Sequence, residues 1–308
     1  MLTALQLLAL LALPPLLLGV INQVKARAAG RVGPPVLQLY WDLARLVQKD
    51  SVVSRTTTWV FIAGPAVGLA AVLLAGLFVP LGAAAPLSFG GDFVLFVYLF
   101  GLGRFFLTSA ALDTGSPFEG MGASRDVSFA ALAEVSLLFG LLALAALARD
   151  TSLAALVSAA RPDASAPLVL VSAGVAIVLL AENARVPVDD PNTHLELTMI
   201  HEAMILDHSG PALAAILYGA SLKLFVLAAL LARLVLPSIA DPLAAFAASL
   251  GAIIAIAVAI GVIESVMARL RMARVPALLV TGCRLSAFGF LMAVSCCRAR
   301  SCRRCSWR

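Results

Sequence analysis

Apolar residues occupy most of the chain in eight long runs that are separated by polar connections. A helix needs about 20 mostly apolar residues to cross roughly 30 Å of bilayer hydrocarbon. The runs therefore predict eight transmembrane helices, near residues 2–21, 57–81, 92–112, 128–149, 166–183, 213–236, 240–263 and 275–295. The expected fold class is all-α: a polytopic integral membrane protein with one helical domain over 1–295.

The composition agrees with a chain that lies in a membrane. Hydrophobic residues make up 62% of it, charged residues make up 13%, and the mean hydropathy is +1.02, whereas a soluble domain carries roughly 25% charge. The first apolar run resembles a signal peptide, but no basic segment precedes it, and Lys25 and Arg27 follow it. We therefore interpret it as a retained span. The net charge of +5 is distributed over the connections and does not indicate a nucleic-acid partner.

Basic residues alternate between the connections, as the positive-inside rule expects of a multi-pass protein. Twelve Lys and Arg residues lie in four connections, 22–56, 104–127, 182–212 and 264–274, and only three lie in the alternate connections. The four basic connections are therefore predicted to face the cytoplasm, which places both termini outside.

The first connection contains a predicted amphipathic helix. After the turn Gly33-Pro34-Pro35, apolar residues between Val36 and Val47 recur at helical spacing, with charged and amide residues between them. A helix of this kind lies in the membrane interface or binds a partner. The pattern favours neither interpretation.

The third basic connection, ENARVPVDDPNTHLELTMIHEAMILDHSGP (182–211), predicts a helix over 192–206. Asp190 is a suitable N-cap, because its side chain can accept hydrogen bonds from the first turn, and Pro191 suits the first helical position.

All three histidines of the chain lie in this connection. If the helix continued far enough, His194, His201 and His208 would share one slowly drifting stripe. A separation of seven residues is about 10 Å along a helix, which is too far for neighbouring histidines to share one metal ion. The spacing therefore favours polar packing or proton exchange, and no metal site is expected.

Four ionisable residues lie within or at the ends of predicted spans: Glu134, Glu182, Lys223 and Glu264. A charge at this depth costs at least about 2.5 kcal/mol and is a functional hypothesis by default. Such groups can exchange protons if burial moves the pKa toward neutrality, or they can form ion pairs that hold the bundle. For Glu182, with Arg185 one turn on, both interpretations stay open. For Glu134 and Lys223 the absence of a partner nearby in sequence favours a proton role.

The second basic connection is predicted to be a polar loop. Its sequence, RFFLTSAALDTGSPFEGMGASRD, is rich in Gly, Ser and Thr and carries Asp113, Glu119, Arg125 and Asp126. This loop could line a cavity with connection 182–212 or form a solvated hairpin, and the residues do not decide between the two.

The polar connections also carry a family resemblance. RAAGRVGPP, LDTGSPFEGMGASRD, ENARVPVDDPNTHLELTMIHEAMILDHSGP and ESVMARLRM occur in this order. Together they resemble the membrane subunit shared by respiratory complex I (its subunit 1, or H subunit) and the group 4 membrane-bound nickel–iron (NiFe) hydrogenases. The second and fourth segments are similar to those of formate hydrogenlyase and hydrogenase-4 membrane subunits. The resemblance covers residues 1 to about 295 and implies a helical membrane fold.

The resemblance assigns roles to particular residues. The family's E-x-x-R-x-P-x-D pattern falls on Glu182, Arg185, Pro187 and Asp189. Its E-L pair falls on Glu196 and Leu197, and its closing acid and S-G fall on Asp207, Ser209 and Gly210. The glutamate that the family carries within a span falls on Glu134. With the in-span residues, the set expected to couple ion movement is Glu134, Glu182, Arg185, Asp189, Glu196, Lys223 and Glu264. The set expected in partner-docking loops is Arg27, Arg31, Asp113, Glu119, Arg125, Asp190, His194, His201, Glu202 and Asp207.

Within the family, the third connection favours the hydrogenase branch. Two positions that are acidic in complex I are Asn192 and His194 here, and segment 198–206 is longer. The resemblance then implies a subunit that anchors a cytoplasmic hydrogenase and couples it to proton or sodium translocation. The alternatives are a quinone-site subunit of an NADH–quinone oxidoreductase and, from another class, a stand-alone ion transporter; no inverted repeat supports the transporter.

The resemblance also implies the partners and the location. Hydrogenase large and small subunits would carry the nickel–iron and iron–sulfur centres, antiporter-like membrane subunits would lie beside this chain in the lipid bilayer, and quinone would bind only in the alternative. The location would be the cytoplasmic (inner) membrane of a bacterium or archaeon.

We expect this chain to have no catalytic residues and no bound cofactor, because it contains no nucleophile motif, nucleotide loop or cluster-binding cysteine set. The segment 296–308 is rich in Cys and Arg but fits no zinc spacing. Metal binding, disulfides and a frameshifted coding sequence are all open interpretations, and we assign this tail no function.

Overall fold

The computed structural model describes residues 2–82, 84–158, 165–189, 200–237 and 239–305, with side chains for all of these except 165 and 297–305. In the described residues the α-helices are α1 (Leu2–Ala12), α2 (Pro14–Ala28), α3 (Gln38–Val47), α4 (Trp59–Phe78), α5 (Asp92–Asp113), α6 (Pro117–Ala148), α7 (Leu153–Ser158), α8 (Ser165–Glu182), α9 (Gly210–Val235), α10 (Pro242–Val266) and α11 (Val275–Cys305). No β-strand occurs in this part of the chain, so the all-α prediction is confirmed.

Six described helical segments are long and apolar enough to cross a membrane. They are α4, α5, α6, α9, α10 and the segment Met272–Cys296, which includes most of α11. The first predicted span is a bent pair, since α1 and α2 meet at 52° where Pro14 and Pro15 begin the second helix. The predicted span at 166–183 corresponds to α8. Its apolar part, Ala166–Glu182, is shorter than the six spans named above. The chain is a polytopic membrane protein, and the total of eight spans stays a prediction.

Side-chain caps and prolines fix several helix starts. The hydroxyl of Thr58 accepts a hydrogen bond from the Val60 N–H at the start of α4. The carboxylate of Asp241 accepts from Leu243 and Ala244 at the start of α10, where Pro242 occupies the first helical position. Each cap satisfies backbone donors that have no partner within the helix.

Helix α9 is the central helix of the bundle. Of its most apolar stretch, 67% is buried inside the chain, whereas the other five spans are buried over 28–44%. Helices α2, α4, α8 and α10 all pack against it. The Lys223 side chain, in the middle of α9, is accordingly only 20% exposed.

Small residues let the helices approach closely where they cross. At Gly174 on α8, an added Cβ would clash with the hydroxyl of Ser286 on α11, and at Gly261 on α10 it would lie 2.8 Å from Val24 on α2. Backbone contact at small residues is the usual way in which membrane helices associate.

One end of the bundle collects the chain segments that were predicted to be cytoplasmic, and we call it the polar end. Here α2, α5, α8 and α10 finish, and α4, α6, α9 and α11 begin. Hydrogen bonds connect the segments: the hydroxyl of Ser209 accepts from the Val52 N–H at 2.9 Å, and Asp113 accepts from the Thr58 N–H at 2.6 Å.

The predicted amphipathic segment forms helix α3 at the polar end. None of its residues is fully buried, and Trp41 is 61% exposed. The Tyr40 hydroxyl donates to the Ala12 carbonyl, which ties α3 to the bend between α1 and α2. Whether the exposed face lies in the interface or binds a partner stays an open prediction.

The predicted span 92–112 agrees with α5, but the prediction of a polar loop over the rest of 104–127 is wrong. Helix α5 continues to Asp113 and α6 begins at Pro117, so the connection is only Thr114–Ser116. Several polar residues of this segment contact other parts of the chain: Asp113 accepts from the Thr58 N–H, and Glu119 accepts from the Asp207 N–H. Arg104 is consequently an in-span residue, nine positions before the end of α5.

The predicted helix over 192–206 lies mostly outside the described residues, as do Asp190, Pro191, His194 and Glu196. Its described end is a short 3-10 helix, Glu202–Ile205, and a turn separates this helix from α9. His201 and His208 therefore do not share a helix face, and the condition for a histidine stripe is not met in the described part.

Candidate functional site

A guanidinium group surrounded by three carboxylates forms the centre of the site. Arg104 on α5 contacts Glu134 through Nη1 and Glu182 through Nη2, and its Nε lies 3.2 Å from Asp126 Oδ2. The Lys223 ammonium on α9 lies 3.5 Å from Glu182 Oε2. We call these five residues the Arg104 cluster, which joins α5, α6, α8 and α9.

The Arg104 cluster is largely shielded from solvent. The side chain of Arg104 is 11% exposed and that of Glu182 is 4% exposed. Arginine stays protonated in proteins, and its planar fork can bind several carboxylate oxygens at once. The arrangement therefore holds Glu134 and Glu182, from two different helices, on one cation.

A second set of charges, the Glu264 cluster, lies nearer the polar end. Glu264 near the end of α10 has a fully buried side chain and accepts two cations, Lys25 Nζ at 2.9 Å and Arg185 Nη1 at 3.4 Å. One interpretation of the sequence was an ion pair between Glu182 and Arg185. This pair does not form, because Glu182 pairs with Arg104 and Lys223 and Arg185 pairs with Glu264. Glu182 and Arg185 still connect the two clusters, because they are three residues apart on the segment that ends α8.

Ion pairs and hydrogen bonds also hold the described parts of segment 183–209. Asp189 lies 2.7 Å from Arg269 and accepts a hydrogen bond from the Ile200 N–H at 3.1 Å. The Leu270 N–H donates to the Pro187 carbonyl at 3.0 Å. The third and fourth polar connections are therefore joined.

Two cavities meet at the Arg104 cluster. The larger one offers about 80 Å³ to water-sized molecules between α4, α5 and α9, and the smaller one offers about 20 Å³ beside Glu182. Water needs roughly 10–15 Å³ and polar partners, so both cavities can hold it. Three residues line both cavities: Arg104, Asp126 and His201.

His201 and His208 lie in different environments. Burial and the positive charges of Lys223 and Arg104 lower the pKa of His201, which faces the cavities. Burial lowers the pKa of His208 to about 4. His208 stacks on Phe61 with ring centroids 4.1 Å apart, and neither of its ring nitrogens has a hydrogen-bond partner among the described residues. His208 is therefore a neutral packing residue.

The residues predicted for partner docking occupy several different positions. Arg27, Arg31 and Asp207 are exposed at the polar end, Glu202 begins the 3-10 helix, and Arg125 is half-buried on α6. Glu119 is fully buried and accepts a hydrogen bond from the Asp207 N–H at 3.0 Å, so its carboxylate is not available to a partner.

Four residues of the site were missed from the sequence: Arg104, Asp126, Lys25 and Arg269. Arg104, Lys25 and Arg269 were counted only as loop charges that report orientation, and Asp126 was assigned to the polar loop that could line a cavity. For Arg104 a signal existed, because apolar residues flank it on both sides in FGLGRFFL. For Asp126, Lys25 and Arg269 only the packed structure shows the partner.

Among the described residues, no three His, Cys, Asp or Glu side chains are placed to hold a metal ion. Cys283 and Cys296 are free thiols. The site is therefore a network of charges beside water-sized cavities within a helical membrane bundle.

The described residues form the helical bundle of a multi-pass membrane protein. The chain belongs to the NADH dehydrogenase family, of the complex I subunit 1 type, whose family model matches residues 1–295. The resemblance seen in the polar connections is thereby confirmed.

Two relatives from Escherichia coli (strain K12) are similar to most of the chain. Formate hydrogenlyase subunit 4 is 33% identical over 304 residues, which are 94% of this chain and 96% of that protein. Hydrogenase-4 component C is 34% identical over 231 residues, which are 74% of this chain and 72% of that protein. A subunit of the membrane-bound sulfane sulfur reductase, an archaeal respiratory membrane complex, shares the fold with a TM-score of 0.81 at 22% identity, covering 95% of this chain and 98% of that one.

Proposed function

We propose that this chain is the membrane-anchor and ion-coupling subunit of a nickel–iron hydrogenase or formate hydrogenlyase-type complex in a bacterial or archaeal cytoplasmic membrane. The two E. coli relatives, which belong by name to hydrogenase-4 and formate hydrogenlyase, support the type of complex. The large and small subunits would bind at the polar end and carry the nickel–iron and iron–sulfur centres, and antiporter-like membrane subunits would lie beside this chain.

The charge count of the Arg104 cluster is the observation that carries the ion-coupling role. With every group ionised, the described residues of the cluster combine three carboxylates with two cations, Arg104 and Lys223, which gives a formal charge of −1. An unbalanced charge inside a membrane bundle is costly. One proton, or one sodium ion, would make the cluster neutral, so uptake and release of a cation is its natural chemistry.

The neighbouring cavities provide the route by which that cation arrives. The larger cavity is lined by Lys223, Arg104, Asp126 and His201, and the smaller one by Glu182. Water in these spaces would connect the cluster to the segment that follows α8. His201 is suited to the step between them, because a neutral imidazole accepts a proton at one nitrogen and donates from the other.

Electrostatics would link this uptake to the redox partner. Two unit charges about 4 Å apart interact by roughly 4 kcal/mol at an effective dielectric near 20, and one unit of pKa is about 1.4 kcal/mol. A change of charge or position in the segment Arg185–Asp189 would therefore change the affinity of Glu182 and Glu134 for a proton. This chain holds and moves the ion, and the partner performs the electron transfer.

The test is ion movement by the purified, liposome-reconstituted complex during hydrogen evolution. Glu134→Gln and Lys223→Met should each leave hydrogen evolution with an artificial donor unchanged and reduce ion uptake into the vesicles toward background. Asp92→Asn is the matched control: Asp92 is also fully buried, but its carboxylate accepts backbone N–H bonds from Leu153 and Phe89 at the opposite end of the bundle. The control should pump like the wild type.

Two results would overturn the proposal. If both cluster variants pumped normally, the chain would be only an anchor. If the purified complex contained bound quinone and no nickel, the quinone-site alternative would replace the hydrogenase. Repeating the assay with and without sodium identifies the coupled ion.

A further inference from the structure

Helix α11 has two faces of different character. Gly282, Ser286 and Gly289 face the bundle: the Ser286 hydroxyl lies 3.2 Å from that of Ser136 on α6, and a Cβ at Gly289 would lie 2.9 Å from Val171 on α8. The opposite face carries Thr281, Arg284, Phe288 and Leu291, which recur at steps of three and four residues. One face of α11 is therefore packed and the other is open.

Arg284 is exposed on this open face, at membrane depth. The short 3-10 helix that precedes α11 ends at Arg274, which is exposed at the polar end. Ten helical residues separate the two arginines, so Arg284 lies about 15 Å further along the axis. The hydrocarbon core is roughly 30 Å thick, which places Arg284 near its middle.

No partner for Arg284 exists within the described part of the chain. The ion pairs there involve Arg104, Lys223, Lys25, Arg185 and Arg269, all with carboxylates, and none involves Arg284. A guanidinium group that faces lipid at this depth is strongly unfavourable. Arg284 therefore requires an anion that the described residues do not supply.

The surroundings of Arg284 suit another helix. An open, almost wholly apolar groove on this face is lined by Thr281, Arg284, Leu285, Ala287, Phe288 and Leu291. Phe288 is 57% exposed and Leu291 is 60% exposed. A groove with one central cation and apolar walls complements a transmembrane helix that carries one acidic side chain.

We propose that the open face of α11 binds a transmembrane helix of a neighbouring membrane subunit, and that an Asp or Glu of that helix pairs with Arg284. This inference rests on the proposed function, because it requires a complex with further membrane subunits. A lipid phosphate fits less well, since phosphates lie at the membrane surface and Arg284 lies near the midplane. A second copy of this chain also fits less well, because a two-fold contact through this face would bring two Arg284 side chains together.

The experiment uses the complete complex in its native membrane. A photoreactive benzoyl-phenylalanine replaces Phe288, with Arg284 intact, and the cross-linked peptides are mapped. We expect cross-links to a transmembrane segment of another subunit, with an Asp or Glu within about one helical turn, roughly four residues, of the cross-linked position. The control places the same probe at Val258, on an exposed face of α10.

Substitutions then test the pairing itself. Arg284→Leu should reduce the amount of the cross-linked subunit that purifies with this chain by about tenfold or more, because it leaves the partner's carboxylate unpaired. Arg284→Lys should retain most of it. Exchanging the charges, with Arg284→Glu here and Arg in place of the partner's acid, should restore association.

Three outcomes would overturn the inference: cross-links from residue 288 only to phospholipid, cross-links only to a second copy of this chain, or unchanged subunit composition in Arg284→Leu. The subunits in the wild-type preparation test the proposed function separately. If hydrogenase subunits are absent, the proposed function fails; if they are present and residue 288 labels only lipid, this inference alone fails.

Discussion

The two charge clusters combine carboxylates and cations in different proportions. The Arg104 cluster combines three carboxylates with two cations, and the Glu264 cluster combines one carboxylate with two cations. Among the described residues the Arg104 cluster has a formal charge of −1, whereas the single carboxylate of the Glu264 cluster has two cationic partners. The first cluster lies among α5, α6, α8 and α9, and the second lies beside the polar end on α2, α10 and the segment after α8.

Because of this difference, the Arg104 cluster can take up a cation and the Glu264 cluster cannot. The Arg104 cluster gains by binding a proton, whereas the Glu264 carboxylate already has two cations and loses both contacts if it is protonated. We infer that the Glu264 cluster mainly fixes the segment that carries Glu182 and Arg185. The following predictions test this division, beginning with the largest expected effect.

Arg104→Leu should be the most damaging change in either cluster. It removes the cation that holds Glu134, Glu182 and Asp126 together, and breaking a buried ion pair in this way costs about 3–5 kcal/mol. We expect a large loss of folded chain in the membrane, measured by detergent extraction and size-exclusion chromatography. Arg104→Lys, which keeps the charge without the planar fork, should be intermediate. Normal yield of Arg104→Leu would contradict a structural role for the cluster.

Glu182→Gln should abolish ion uptake without disturbing the assembly of the complex. Its amide can still accept hydrogen bonds from Arg104 and Lys223, but the cluster becomes formally neutral without a proton. Ion uptake by reconstituted vesicles should fall to background, while hydrogen evolution and subunit composition persist. The matched change in the other cluster, Glu264→Gln, should retain ion uptake. Equal uptake defects in the two variants would show that the division between the clusters is wrong.

Glu264→Gln should instead lower stability, by about 2 kcal/mol, because two charged donors lose an ionised acceptor. Lys25→Met should cost less, since the Lys25 side chain is 22% exposed and Arg185 still neutralises Glu264. Thermal unfolding in detergent measures both. If Lys25→Met were the more destabilising change, Glu264 would not be the centre of its cluster.

Replacing His208 should have the smallest effect on stability, and this effect should be visible only in how stability depends on pH. Its folded-state pKa of about 4 lies below the ordinary value of 6.5, so the unfolded chain binds more protons at acidic pH. The contribution to stability is complete above about pH 6.5 and is lost as the pH falls toward 4, which amounts to roughly 1–2 kcal/mol between pH 7 and pH 5.

His208→Phe should remove that part of the acid sensitivity, because phenylalanine can keep the stacking on Phe61 without a titratable group. Unfolding temperatures of the two proteins between pH 7 and pH 5 provide the measurement. An unchanged pH dependence in His208→Phe would show that His208 is not neutral in the fold.

Helices were predictable from the sequence because lipid imposes length and composition. Every predicted span contains a described helix, and the in-span residues Glu134, Glu182, Lys223 and Glu264 do lie in ion-pair networks. Which residues pair was not predictable. Partners such as Arg104 and Glu182 are 78 positions apart, and only the packing of α5 against neighbouring helices brings them together.

The error over 104–127 has a specific physical cause. Gly, Ser and Thr indicate loops in water, but in membrane helices small residues mark close contacts. Gly122 is an example, since an added Cβ would lie 2.9 Å from both Ala203 and the Ile200 carbonyl. Arg104 lies inside the predicted span 92–112, but counting it with the connection left it out of the in-span residues.

Gly210 connects the surface of the bundle to its interior. It has a positive φ of 55°, and a Cβ there would lie 2.8 Å from the Asp50 carbonyl oxygen. The backbone after α3 thus rests directly on the first residue of the central helix, and Lys223 lies thirteen residues further along that rigid rod. Because α9 continues without a break from Gly210 to Val235, the position of this contact helps to set the position of Lys223, whose ammonium lies 3.5 Å from Glu182.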